Sequence, residues 1–253
     1  MTRIVPHDQT FTRGKMFDKY GALLIYVSSI ISIALIAIPK LQAEMNLFLN
    51  AINCVLIFMI VVFDLIYNYI FFEAGKTKRL DFLDNSFGVD FLGSKSKGYF
   101  SNENLSIGMY KMAVNCFENS FFSYQVCGKM IAGAWLKAAV VMALFVFTAA
   151  MGDYLLINLL FQLTLPIILI QQAIKITLFY TRINTVHEGF RQLFNDFKQQ
   201  ATNQGKDPEI LKLVLDYQTT LSWGGIPLSD KIFNANNAAW STKWEEVKRI
   251  YNI

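Results

Sequence analysis

Four strongly polar side chains, Asn50, Asn53, Asp64 and Asn68, interrupt an otherwise apolar stretch, LFLNAINCVLIFMIVVFDLIYNYIFF, at residues 47–72. At a helical advance of about 100° per residue they fall within a sector of roughly 60°. One helix would therefore carry them as a single polar face. An Asp at the centre of a bilayer-spanning helix costs roughly 2.5–3.5 kcal/mol on insertion scales, so such groups turn toward protein or water rather than lipid. Along a water-filled path, carboxamides can replace part of an ion's hydration and a carboxylate favours cations. The stripe reads as a pore lining.

A second set on the same terms is Asn158, Gln162 and Gln172, which share one helical face of the run at residues 154–179 and could oppose the first stripe. Pro166 stands in the middle of that run and removes one backbone donor, which predicts a kink. Lys137 lies about one and a half turns inside another apolar run. There a lysine can extend its stem to the headgroups or serve an ion path. Outside the apolar runs the densest polar group is Arg79, Asp81, Asp84 and Asn85 in RLDFLDNSFG. These residues either cap and end a helix or form a regulatory, ligand-binding site.

Other chemistry is missing from the sequence. It has no glycine-rich phosphate loop, nucleophile elbow, Cys-x-x-Cys pair or histidine–carboxylate metal motif. Its two histidines, His7 and His187, are far apart without a companion at ligand spacing. The expectation is a protein that is not an enzyme, with no catalytic residue, no metal and no cofactor. Direct nucleic-acid binding is not expected either.

The elements that must position these groups follow from composition. Of 253 residues 54% are hydrophobic and only 17% charged, with 22 Phe, the signature of an integral membrane protein. The apolar residues concentrate in four runs, at residues 20–39, 47–72, 131–151 and 154–179. Each is long enough for the ~30 Å hydrocarbon layer at ~1.5 Å per residue. The predicted fold is an all-α membrane protein with four transmembrane helices arranged as two hairpins. The first run is longer than a signal-peptide core and lacks a small-x-small cleavage site, so it is expected to be retained.

Orientation follows Lys and Arg in short flanking loops. The connection 40–46 holds one Lys, and Gly152 and Asp153 add none, so of 23 Lys and Arg only Lys40 lies on that side. Both termini and the middle segment are then cytoplasmic, and the location is an inner membrane. Cys116 and Cys127 would lie in the reducing cytoplasmic segment, as structural thiols.

The expected parts are a cytoplasmic arm (1–19), a first hairpin (20–72), a cytoplasmic segment (73–130), a second hairpin (131–179) and a cytoplasmic helical region (180–253). The second helix is predicted to run on to Gly88. Met109, Met112, Ala113, Cys116, Phe117, Ser120, Phe121 and Tyr124 recur at three-and-four spacing and predict a helix leading into the third run. Ile183, Val186, Phe190, Leu193, Phe194 and Phe197 extend the fourth. Asp207 as cap with Pro208 behind it starts a fifth helix, which Gly224 and Gly225 stop, and Ser229 caps a sixth. Segments 73–130 and 180–253 are expected to join as one helical module.

Two hairpins around a cytoplasmic segment, with AGKTKRLDFLDNSFG directly after the second helix and GGIPLSDKIFNANNAAWSTKW near the end, resemble the four-helix membrane effectors of bacterial anti-phage systems, particularly those linked to cyclic-nucleotide signalling. The resemblance implies a protein that perturbs the inner membrane when an infection signal reaches its cytoplasmic part. The trigger would be a nucleotide second messenger or a protein. Two readings follow: a homo-oligomeric, pore-forming effector acting on the lipid bilayer, or a membrane-anchored scaffold or sensor that recruits a cytoplasmic partner.

Overall fold

The computed structural model describes residues 5–37, 43–94, 96, 99–150, 156–199 and 205–253, with side chains at 33, 36, 37, 43, 148, 149 and 156–165 outside that description. Among the described residues the chain is all-helical, with six helices and no strand. They are α1 (Asp8–Ala37), α2 (Ala43–Phe87), α3 (Met109–Ala150), α4 (Leu156–Gln199), α5 (Asp207–Gly224) and α6 (Asp230–Tyr251).

Local chemistry sets several ends. Gly88 takes a left-handed φ of 70°, and its N–H donates to Asp84 O at 2.9 Å, closing the last turn of α2. Gly225 does the same for α5 with φ 50°. Ser229 caps α6 by accepting from the Ile232 N–H. Asp207 is not the cap of α5: Lys206 holds that position without a side-chain bond, and Asp207 sits in the first turn, where its charge complements the helix dipole. α1 begins at Asp8, inside the stretch expected as an N-terminal arm. Phe11 and Phe17 give that early turn a reason to fold, meeting Phe71 and Phe63 of α2 at centroid separations of 5.3 and 5.6 Å. The connection expected at 40–46 is taken over by α2 from Ala43. Pro39, Lys40, Gly152 and Asp153 lie outside the described residues.

Four crossing helices were the expectation, but among the described residues two are long and apolar enough, Glu44–Phe87 and Met109–Phe147. Part of each of the other two runs, in α1 and in α4, lies outside the described residues. In both qualifying helices only 6% of the apolar window is buried. A core helix of a soluble domain would be mostly buried, and these windows are not.

The chain divides into two compact units. One comprises Met1–Gln9, Phe72–Ile131 and Ile176–Ile253, the other Thr10–Phe71 and Ala132–Lys175. The helices α2, α3 and α4 each run without a break past the division, α4 through Pro166.

The core of the first unit is aromatic. Phe117 of α3 lies flat against Phe194 and Phe190 of α4, at 5.1 and 6.0 Å, and meets Trp244 of α6 edge-on at 5.2 Å. All four rings are buried, each worth about 1.5–3 kcal/mol over exposure. Helix α5 adds Ile210, Leu213, Val214 and Tyr217, approaching α4 where Gly189 leaves room for Leu213. In the second unit α1 lies along α2, and Ala138 of α3 packs with Leu169 and Ala173 of α4.

Candidate functional site

The four polar residues of α2 meet different surroundings. Asn53 is fully buried, Asn50 is half-buried, and Asp64 and Asn68 are exposed. Asn53 is held by α1: Ser28 Oγ donates to its Oδ1, and its Nδ2 donates to Ser32 Oγ at 2.9 Å. Asn50 Nδ2 turns back along its own helix to Asn46 Oδ1 at 2.7 Å. Asn68 Nδ2 donates to Asp64 Oδ2 at 2.9 Å, one turn below.

The split has a geometric cause. The face of α2 that touches α1 follows a seven-residue spacing: Asn53 and Tyr67 are fourteen apart, and Phe63 and Ile70 seven. Such a seam drifts by about 20° per heptad against a straight helical face. Asn53 lies on the seam. Asp64 and Asn68, further along the chain, are carried off it into exposure.

The register of the hairpin also moves Asp64. A Cβ on Gly14 would touch Ile70 at 3.3 Å, one on Gly21 would touch Phe63 at 3.8 Å, and Ser28 meets Asn53. Asp64 is therefore level with Lys19 and Tyr20, where the apolar run of α1 begins. Counted from Phe72 it is about two turns inside an apolar run; counted across the hairpin it is at the polar edge of one. Of the second stripe, Gln172 is exposed on α4, and the side chains of Asn158 and Gln162 lie outside the described residues. Lys137 is exposed.

Asp81, Asp84 and Asn85 share one side of the last turns of α2, and their bonds run to the chain itself; Arg79 points away from them, to Ser222 of α5. Asp84 accepts from the Phe91 and Leu92 N–H groups at 2.8 and 3.0 Å, one on each oxygen. Asp81 takes both the N–H and the hydroxyl of Ser96 and stands 3.7 Å from His7 Nδ1. Asn85 Oδ1 accepts from Asn115 Nδ2 at 2.9 Å. All four carboxylate oxygens are thus engaged in folding the 88–108 connection back onto α2. Both aspartates are also buried, which closes them to a ligand.

Several residues of this unit escaped the sequence reading. Asn102 Nδ2 bridges Asn115 Oδ1 and Glu118 Oε2 at 3.0 and 2.7 Å, and Ser101 donates to the same carboxylate. Burial raises the Glu118 carboxyl above its ordinary range, against these bonds. Asn115 carried no signal: at about 100° per residue it lies on the far side of α3 from the face whose periodicity predicts burial. His187 is buried against Phe117, Phe121 and Tyr124, with Ser120 Oγ 3.4 Å from Nδ1. Burial pulls its pKa down to about 4, so it is a neutral core ring at pH 7. At the end of α5, Arg79 Nη1 donates to Ser222 Oγ at 3.1 Å, and the Arg182 guanidinium lies 4.4 Å over the Trp223 ring.

Among the described residues no group of three His, Cys, Asp or Glu is placed to hold a metal ion. No family model, curated protein or solved structure matches the chain.

Proposed function

We propose that this is a multi-pass membrane protein, with four helices crossing the bilayer, that serves as an anchored scaffold or sensor. Its helical module of 73–130 and 180–253 receives a partner or signal in the cytoplasm. The apolar helices with barely buried windows support membrane residence. The observation that carries the choice of scaffold is the α1–α2 register. It satisfies Asn53 with two serines inside one hairpin and brings Asp64 level with the polar end of α1. A conduit along one subunit would need those groups to share a wet face.

The homo-oligomeric, pore-forming effector is the second reading, and one observation favours it. Asp64 and Asn68 are exposed together on a helix whose neighbouring Val61, Leu65 and Tyr69 are exposed as well. A second copy could cover that face. The resemblance to anti-phage effectors belongs with this reading. Membrane potential and dye uptake in overproducing cells, with and without phage challenge, test the choice. The scaffold reading expects the protein in the alkaline-carbonate-resistant membrane fraction and no change in either signal. Depolarisation that Asp64→Asn abolishes at equal protein level would overturn it in favour of the pore.

A further inference from the structure

Two arginines from different helices converge on consecutive residues of a third. Arg79 of α2 bonds Ser222, and Arg182 of α4 covers Trp223, the last polar and last aromatic side chains of α5. Ser222 and Arg182 are exposed and Trp223 is 44% exposed, so the cluster faces outward. Its place along the chain is fixed by Gly224. A Cβ there would run into the ring of Phe179, the final apolar residue of the fourth run. The end of α5 is therefore level with the end of that run.

The two arginine-bearing helices change character at this level within one turn. On α4 the exposed Leu178 is followed four residues later by the exposed Arg182. On α2 the exposed Phe72 is followed by the exposed Lys76, then by Arg79. Acid is scarce nearby: from residue 176 to Glu188 of α4, and from Tyr217 to Ser229, there is none, and α2 offers Glu73 before the engaged Asp81. An indole at an apolar-to-polar border and a guanidinium pair just beyond it are the components that hold a lipid headgroup in place. The ring suits the interfacial layer, and the cations suit the phosphate.

We propose that the Arg79–Ser222–Trp223–Arg182 cluster binds the headgroup of an anionic phospholipid, fixing the end of α5 at the membrane surface. This rests on the membrane reading above. A purely internal role for the arginines, as cations near the C-terminal carbonyls of α5, would give stability without lipid preference, and the test separates the two.

The full-length protein in mild detergent is melted with added short-chain phosphatidylglycerol, with phosphatidylcholine of the same chains, and with inorganic phosphate. A ligand that binds the folded state raises the melting temperature. The expected result is a larger rise with phosphatidylglycerol than with phosphatidylcholine, and none with phosphate. In Arg79→Gln/Arg182→Gln the phosphatidylglycerol concentration for half the effect should rise roughly tenfold or more, and Arg79→Lys/Arg182→Lys should keep part of the preference. Equal rises with both lipids, a phosphate effect matching the lipid's, or an undiminished preference in the Gln variant would overturn the proposal. The wild-type lipid comparison decides even if the variants fold poorly. Carbonate extraction of the cell membranes, before detergent is added, tells the two failures apart. Protein retained in membranes without lipid preference sinks this inference alone, whereas protein released by carbonate sinks the membrane reading and this one with it.

Discussion

At the scale of single residues, His187 and Asn53 show how one polar group in an apolar surround is managed in opposite ways. His187 stays neutral: its folded pKa of about 4 lies below the ordinary 6.5, so the unfolded chain binds more protons between those values. Stability should therefore be full above pH 6.5 and fall as pH drops toward 4, by up to about 3 kcal/mol from this residue. The raised Glu118 carboxyl opposes that slope. The check is accordingly the difference between wild type and His187→Gln in melts from pH 4 to 7, with the variant's slope expected to be the flatter. Asn53 instead depends on partners. Asn53→Ala leaves the Ser28 and Ser32 hydroxyls short of a bond and should cost about 1–3 kcal/mol, read as a lower melting temperature in detergent. Asp64→Asn, at an exposed position, should cost under about 1 kcal/mol. The sequence wheel could not separate these two residues, because which side of α2 meets α1 is decided by the seam between the helices. That seam follows a different period from the wheel.

At the scale of elements, what was legible was local. Gly88, Gly225 and Ser229 mark helix ends through their own backbone and side-chain chemistry, and the three-and-four recurrence around Phe117 and Phe190 marks the buried faces of α3 and α4. What was not legible depends on a second element. The carboxylates of RLDFLDNSFG look like a binding constellation until the 88–108 connection supplies their donors. Asp84→Ala removes the acceptor of two part-buried backbone N–H bonds, and we expect a loss of about 1–3 kcal/mol. Faster proteolysis between residues 88 and 108 is the sign to look for. Close approach makes a further prediction. Gly189→Ala and Gly224→Ala would press a methyl on Leu213 and Phe179 and should each destabilise by about 1–3 kcal/mol. Urea unfolding followed by Trp fluorescence measures both, and Gly133→Ala, where a Cβ meets nothing, is the control that reads the helix-propensity gain of Gly→Ala alone.

For the whole molecule, the distribution of Lys and Arg sets the expected topology. Thiol labelling of single-cysteine variants should find residue 43 outside and residues 10, 97 and 237 inside, and labelling of residue 97 from outside would overturn the cytoplasmic assignment of the module. Of the four apolar runs, two appear among the described residues as helices long and apolar enough to cross a membrane, and the runs in α1 and α4 are described only in part. The aromatic core has a bearing on synthesis. Phe117 is made long before its neighbours Phe190, Phe194 and Trp244, so its ring lacks these partners until α4 and α6 have left the ribosome. With contacts this far apart in sequence, closure of the module is late and slow relative to a local helix pair. A nascent chain stalled near residue 180 would present that ring unshielded by these partners, a natural substrate for a chaperone or a protease.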